Sequence, residues 1–570
     1  MTETLTGSQI LCRALLEQGV DLLFGYPGGA IMPFYHALPE YPQLRHILVR
    51  HEQAAAHAAD GYARASGRAG VCVATSGPGA TNLVTGLATA HMDSTPVVAI
   101  TGQVARAMMG RDAFQETDII GITQPITKHN RLVEDVEELA EAVEEAFYVA
   151  QEGRPGPVLI DIPKDVQNQR GTWAGGQQGS KRTSDRSHRG GAAPRLRGSE
   201  GDLEEAVRLI AGAQRPLIMA GHGVLLANAY VELHAFAERT GIPVITTLLG
   251  ISGFPEAHPL HLGMPGMHGE VHVNRAIQQA DLIIGLGLRF DDRVTGNLAA
   301  FARDAKVIHV ELDPSEIGKN VPVAVGLVGD VRDVLCSLLP VVAPRNCDAW
   351  RAEIASFVRP RQEAFRGDLS PETILDAIDE ATEGRCSIVS DVGQHQMWVA
   401  KLFRYQLPNS HITSGGLGTM GFAVPAAMGV AMARPGQPVL AISGDGGFQM
   451  NMQEIATMVQ EGIPVKMAIF NNGYLGMVRQ WQQFFHGRRY SATPIWSPDY
   501  VRLAEAYGIA GWRVESADQA AEVVRAANAE PGPALVEFMM EQEANVYPMI
   551  PPGGSLSEPI EGEPAPLVSA

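Results

Sequence analysis

Residues 444–472 read GDGGFQMNMQEIATMVQEGIPVKMAIFNN, and this stretch decides the fold. The apolar run 439–443 ahead of it has the length and composition of a buried strand, and Gly444-Asp445-Gly446 then lets the backbone turn sharply and approach a ligand. Asp445 is thereby placed at a strand's carboxyl end. A helix is expected over about 453–460, and 465–470 reads as a second strand that ends at Asn471 and Asn472. In an open parallel sheet, two such strand ends face the crevice where ligands bind. One carboxylate and one amide oxygen, 27 residues apart, make a sparse oxygen set suited to a magnesium ion that keeps phosphate as its other ligand. The alternative for the stretch alone is an ordinary strand, turn and helix, with Asp445 as a cap and Asn-Asn-Gly as a turn.

Working outward, 570 residues exceed one hydrophobic core and predict about three domains. The formal charge of −19 argues against nucleic acid or an anionic membrane as a partner. The five cysteines are scattered, odd in number and without a CxxC pair, so they suggest neither a disulfide framework nor a zinc site. No apolar run is long enough to span a bilayer, and no basic leader precedes the helical pattern of Ile10, Leu11, Ala14 and Leu15. A cytoplasmic location is expected.

Helical patterns alternate with short apolar strands at 70–74, 97–100 and 158–162, then at 216–219, 243–246, 282–286 and 307–312, and again around the 444–472 stretch. The expected class is α/β, with three doubly wound parallel-sheet domains. They occupy residues 1–170, 202–342 and 368–545. Residues 171–201 are rich in Gly, Ser, Arg and Gln with almost no large apolar side chain, and read as a flexible linker. Their arginines lack interleaved aromatics, so a solvated tether is favoured over a nucleic-acid arm. The Pro- and Gly-rich tail 546–570 reads as an extended closing segment.

Several motifs carry chemistry. Gly416-Leu-Gly-Thr-Met-Gly421 matches GxGxxG, the signature of a nicotinamide site, but Pro425 interrupts the following helix pattern and Asp445 already belongs to the larger motif. His51-Glu52 lacks the second histidine of HExxH at position 55, which is Ala. Glu52 instead opens the small-residue pattern Ala54-Ala-Ala-His-Ala-Ala59, a helix face that packs closely against another helix and secludes a carboxylate. On spacing alone Glu52 is equally a helix-start carboxylate. Thr75-Ser-Gly-Pro-Gly-Ala-Thr-Asn82 follows a strand and opens a helix, presenting free amides to an anion or cofactor ring. Arg289 and Arg293 follow another strand end, where they can clamp a pyrophosphate or simply pair with Asp291 and Asp292.

Together with Phe24-Gly-Tyr-Pro-Gly-Gly-Ala-Ile-Met32, Arg50-His-Glu-Gln53, Asp112-Ala-Phe-Gln-Glu116, Gly153-Arg-Pro-Gly-Pro157, Gly266-Met-His-Gly269, Arg289-Phe-Asp-Asp-Arg-Val-Thr-Gly296, Asp391-Val-Gly-Gln-His-Gln-Met-Trp398 and Gly476-Met-Val-Arg-Gln-Trp481, these motifs resemble the FAD-containing acetohydroxyacid synthase (acetolactate synthase) large catalytic subunits, a family of thiamine diphosphate enzymes. The resemblance covers nearly the whole chain. It implies an aminopyrimidine-binding first domain, an FAD-binding central domain and a diphosphate-binding third domain. It implies the decarboxylation of pyruvate and its ligation to a second 2-ketoacid, pyruvate or 2-ketobutyrate, on the route to valine, leucine and isoleucine. Because the two halves of the thiamine diphosphate site lie in different domains, it further implies a homodimer or homotetramer with shared sites, and leaves open whether a small regulatory subunit binds.

Carried over residue by residue, the resemblance assigns magnesium to Asp445, Asn472 and the backbone at Tyr474. Glu52 is the carboxylate that hydrogen-bonds the pyrimidine, and Gln115, Lys164 and Trp481, with Phe114 and Met477, line the substrate region. Pro27, Gly29, Pro78, Asn82, Gln394, His395, Gly418, Met420, Gly444, Gly446 and Gly447 fall on the thiamine diphosphate, with Met420 as the wedge that bends it. Arg154, Gly221, Gly223, Met267, His268, Arg289, Asp291, Arg293, Glu311 and Asp330 fall on FAD. Three positions depart from the family pattern: Arg111 in place of a small polar residue, Gly447 in place of Ser, and His222 inside a Gly-rich flavin turn. A flavin-dependent pyruvate oxidase on the same fold is the closest rival, and Trp481 with the 289–296 run favours the carboligase.

Overall fold

The structure, a computed structural model, describes residues 3–173, 200–359 and 369–562. Three six-stranded, all-parallel sheets dominate it. In the first, Arg45–Leu48, Leu22–Gly25, Gly70–Ala74, Val97–Gln103, Val158–Pro163 and His129–Leu132 lie side by side in that order. Numbered within the domain, the order is 2-1-3-4-6-5. The third sheet, His411–Thr413, Ser387–Ser390, Val439–Gly444, Val465–Asn471, Ala534–Met539 and Ala510–Val514, repeats that order. The central sheet, His261–Gly263, Val244–Thr246, Pro216–Ala220, Leu282–Leu286, Lys306–Glu311 and Val325–Val328, has the order 3-2-1-4-5-6 of a dinucleotide-binding fold. Central strands such as Val97–Gln103 and Val465–Asn471 are buried along their whole length, as expected where helices cover both faces.

Two expectations need correction. The helix expected over 453–460 starts much earlier: Asp445–Asn451 is helical, a 3₁₀ turn spans Met452–Glu454, and Ile455–Glu461 completes the crossover. Gly446 and Gly447 are poor helix formers, but burial of Phe448 and Asn451 overrides propensity. The linker expected over 171–201 begins inside the strand Arg170–Trp173 and ends inside the helix Glu200–Gly212. Arg170–Trp173 pairs antiparallel with Glu3–Thr6, and its alternate residues Gly171 and Trp173 are buried. The rest of that linker lies outside the described residues. No helix among the described residues is long and apolar enough to cross a membrane.

The first and third domains meet through equivalent helices, each following the second strand of its sheet: Glu52–Ser66 and Ala423–Ala433. The contact is reciprocal. A Cβ on Gly61 would collide with the carbonyl of Ala426, and one on Gly429 with the carbonyl of Ala58, so only glycine lets the backbones approach. The small-residue face read from 54–59 is this seam, and Ala54, Ala55, Ala56, Ala58 and Ala59 are all fully buried in it.

Candidate active site

The strands Val439–Gly444 and Val465–Asn471 are neighbours, with Gly444 opposite Phe470, so Asp445 and Asn472 emerge side by side at the sheet's carboxyl end. Asp445 is buried, and its Oδ2 accepts from the Gly473 amide (3.1 Å) and Ser497 Oγ (3.3 Å). All of these donors are neutral, and burial raises its carboxyl to about 6. A cation beside it would offset that desolvation. The Asn472 carboxamide accepts the Tyr474 amide (3.1 Å) and donates to Gln394 Oε1 (3.2 Å).

The glycine-rich loop that carries Met420 is pinned at both ends by buried carboxylates. Asp93 of the first domain accepts the amides of Gly415 (3.1 Å) and Gly416 (2.6 Å), and is itself bound by Arg64 (3.0 Å). Asp391 accepts the amides of Val392 (2.7 Å) and Gly421 (2.9 Å), and burial raises its carboxyl to about 6. Thr419 Oγ1 meets Thr89 Oγ1 at 2.8 Å. The GxGxxG thus follows an edge strand, His411–Thr413, in a sheet without dinucleotide-binding strand order, and its first amide is already taken. A Cβ on Gly447 would lie 2.8 Å from Asp391 Oδ2, so glycine there leaves that carboxylate room.

In the central domain the crevice between Pro216–Ala220 and Leu282–Leu286 is the point where strand order reverses. There a Cβ on Gly223 would stand 2.6 Å from Gly287 Cα, and Gly221 is equally close to the Gly287 carbonyl. Arg289 and Arg293 approach Asp291 and Asp292 only at 4.0 and 3.7 Å. Arg154 reaches across from the first domain to Glu316 (3.0 Å) and Asp313 (3.5 Å). Burial raises the Glu311 carboxyl to about 7, and its side chain accepts the Leu312 amide (2.8 Å). His222 lies beside Arg64 and Asp93; burial first, and then the Arg64 charge, lower its imidazole to about 4, which leaves it neutral at pH 7.

One cavity of about 2740 Å³ joins these two crevices. Gln394, His395, Gly418, Met420, Gly444, Asp445, Gly446, Gly447, Asn472, Tyr474, Met477 and Trp481 line it from the third domain. Gly223, Met267, His268, Arg289, Asp291, Arg293, Glu311 and Asp330 line it from the central one, with Arg154 from the first. Gly221 stands just behind this wall. Small-molecule sites usually occupy about 300–1,000 Å³, so the space suits more than one ligand. His395 Nε2 and His268 Nδ1 are buried on its wall without a hydrogen-bond partner, and each fits a polar atom of a bound group.

The first-domain residues gather elsewhere. Pro27 and Gly29 follow Leu22–Gly25, Pro78 and Asn82 follow Gly70–Ala74, and Lys164 follows Val158–Pro163, all at the carboxyl end of their own sheet. Glu52 is 8% exposed, and its Oε2 accepts from Asn82 Nδ2 at 2.9 Å. Gln115 sits against Gly77, whose Cβ would fall 2.9 Å from the Gln115 carbonyl, and next to it Phe114 is 88% exposed. None of Pro27, Gly29, Glu52, Pro78, Asn82, Gln115 or Lys164 lines the cavity.

Sequence reasoning left out Asp391, Asp93, Arg64 and Ser497. Asp391 was within reach, as the first residue after a strand and thus the topological counterpart of Asp445. Asp93 and Arg64 act across more than three hundred residues of chain, and nothing local marks them.

Three family models match in chain order: the N-terminal TPP binding domain of thiamine pyrophosphate enzymes over residues 5–122, their central domain over 203–338 and their C-terminal TPP binding domain over 391–538. An acetolactate synthase of Mycobacterium bovis is 48% identical over 98% of this chain and 91% of its own length. An acetolactate synthase large subunit of Corynebacterium glutamicum is 46% identical over 98% and 90%, and a probable acetolactate synthase large subunit of Methanocaldococcus jannaschii 46% over 98% and 96%. With all three domains matched in order and the likeness running nearly end to end, the chain belongs to the thiamine pyrophosphate enzymes, among the acetolactate synthase large subunits.

Proposed function

We propose that the protein condenses two pyruvate molecules to 2-acetolactate, and pyruvate with 2-ketobutyrate to 2-aceto-2-hydroxybutyrate, in branched-chain amino-acid biosynthesis in the cytoplasm. The observation that carries this reading is the single cavity that runs from Asp445 and Asn472, past Met477 and Trp481, to the central crevice. Thiamine diphosphate, when bound, supplies the electron sink that decarboxylation of a 2-ketoacid needs. Asp445, the Asn472 side chain and the Tyr474 carbonyl would hold Mg²⁺, a set of oxygen donors that leaves coordination positions for phosphate. Gly446 and Gly447 let the backbone pass close to it, and Met420, set between the two pinned ends of its loop, shapes the floor.

Glu52, secluded from water and hydrogen-bonded to Asn82, would hold the aminopyrimidine of bound thiamine diphosphate and is placed to hold or move a proton at its carboxylate. Its seclusion keeps that proton from being shared with solvent. Gln115 and Lys164 orient the ketoacid carboxylate, and Trp481 and Met477, one helical turn apart on Gly476–Phe485, bound the space for the acceptor's alkyl group. FAD would be held in the central crevice by Arg154, Arg289 and Arg293, whose guanidinium groups suit a pyrophosphate, with Gly221 and Gly223 leaving room for it. Since Glu52 and its neighbours line no part of the cavity, the active unit is at least a homodimer, with one copy's first domain closing the other's cavity.

Incubating the purified protein with pyruvate, thiamine diphosphate, Mg²⁺ and FAD tests the proposal. Acetolactate as the product supports it; acetate with bleached flavin and no acetolactate would establish a pyruvate oxidase instead.

A further inference from the structure

On the central domain, away from the cavity, the helix Tyr230–Thr240 presents His234 and Glu238 four residues apart on one face. His258, on the loop that leads to the strand His261–Gly263, faces them. Its Nε2 lies 2.8 Å from Glu238 Oε1, and one ligand atom from each of the three residues falls within 4.8 Å of the others. The rings are held in place: His234 stacks on buried Phe254 at 6.0 Å, while His258 meets Phe254 edge-on at 5.1 Å and His234 edge-on at 5.0 Å. None of the three lines the cavity described above.

We propose that His234, Glu238 and His258 bind a transition-metal ion of the zinc class. Two imidazoles and a carboxylate are ligands such an ion prefers to Mg²⁺, and three protein ligands leave a fourth position for water. Bonds of about 2.0–2.2 Å place the donor atoms roughly 3.3 Å apart, so Glu238 Oε1 and His258 Nε2 part slightly from 2.8 Å to admit the ion between them. Without metal, His258 Nδ1 accepts the Leu260 amide (3.2 Å) while Nε2–H faces Glu238. On binding, the imidazole proton shifts to Nδ1, the Leu260 hydrogen bond is given up and the metal takes Nε2, so the site is of moderate affinity.

The clip has a structural consequence. The same loop docks on the third domain, where Ser252 Oγ accepts the Ser410 amide (3.2 Å) and Glu256 Oε2 the Tyr405 amide (3.3 Å). A metal at His258 ties that docking loop to the helix behind it.

The test is a Co²⁺ titration of the full chain loaded with thiamine diphosphate, FAD and excess Mg²⁺, read by visible ligand-field absorption. The expected result is a band saturating near one Co²⁺ per chain and displaced by Zn²⁺. It should be lost in His234→Asn and in His258→Phe, which keeps the ring packing, and at least tenfold weaker in Glu238→Gln. Each variant should retain wild-type turnover with Mg²⁺ alone, which also reports that it is folded. A band unchanged in the two histidine variants, or no band at millimolar Co²⁺, overturns the proposal and leaves Glu238 and His258 as a plain hydrogen-bonded pair. Anomalous diffraction at the zinc edge from wild-type crystals soaked in Zn²⁺ gives a second reading independent of the variants: a peak among the three side chains is expected, and its absence counts against the site.

Discussion

The first and third domains share a strand order and pack through the same helix, yet they bear opposite kinds of chemistry. At the carboxyl end of its sheet the third domain places a buried carboxylate, an amide oxygen and glycines, a set that suits a cation and a diphosphate. The first domain places Gly77 and Pro78 where the third has Gly444 and Asp445, and adds Glu52 at the start of the helix after its second strand. Within one chain the seam joins the two domains through the helices Glu52–Ser66 and Ala423–Ala433, and leaves the first domain's site residues off the cavity wall. Two similar folds thus divide one task, and on the proposed function a second copy of the chain brings the halves together.

The strongest way to break this division is to disable each half separately. Glu52→Gln should lower kcat by about 10²–10⁴, the usual worth of a positioned proton-transfer group, while thiamine diphosphate still binds. Calorimetric cofactor titration beside turnover would separate the two, and full turnover would remove Glu52 from the chemistry. Asp445→Asn should instead weaken Mg²⁺-dependent cofactor affinity by about 10²-fold, roughly 2.7 kcal/mol. Mixing the two variants under conditions that exchange subunits, at a cofactor concentration that leaves Asp445→Asn unloaded, then tests whether the halves are shared. If sites are shared across a twofold dimer, statistical reassortment restores about a quarter of the wild-type sites. No recovery despite demonstrated exchange would place both halves in the same chain.

How much of this was legible depended on how local each signal is. The strands 70–74 and 282–286 could be read to the residue, because a short apolar run between turn residues is a local pattern. Residues 54–59 disclosed a close-packing helix face, since five alanines in six residues leave little side-chain bulk between helices, but not which helix they meet. Asp93 and Arg64 were invisible as site-builders, because their partners are loop amides and carbonyls set by tertiary approach, whereas Asp391 was marked by its place directly after a strand. The strand Arg170–Trp173 was hidden by its polar neighbours, and its pairing with Glu3–Thr6 closes almost the whole first domain. His234 and Glu238 had a readable i,i+4 spacing, but the third ligand, His258, comes from a loop twenty residues away.

The seam itself offers a smaller handle. Gly61→Ala and Gly429→Ala each put a methyl group into a facing carbonyl, and each should cost about 1–3 kcal/mol, read as a lower unfolding midpoint. Because the two contacts are reciprocal, the double variant should cost less than the sum, since the first displacement already opens the seam.

A more gradual effect, spread over several pH units, is expected at the same seam. Glu454 of the third domain is fully buried, and its carboxylate accepts the Arg50 amide (2.9 Å), two residues before Glu52, as well as the Thr457 hydroxyl (2.8 Å). Burial outweighs those donors and raises its carboxyl from 4.5 to about 7. A folded value above the unfolded one means that the folded state holds the proton more tightly. This contribution to stability is therefore complete below about pH 4.5 and is lost as the pH rises through 7. Wild-type stability should decline relative to Glu454→Gln across that window, by at most about 1.4 kcal/mol per pH unit. Urea unfolding of both proteins at several pH values from 5 to 8 measures the difference, and parallel curves would show that Glu454 keeps its charge inside the seam.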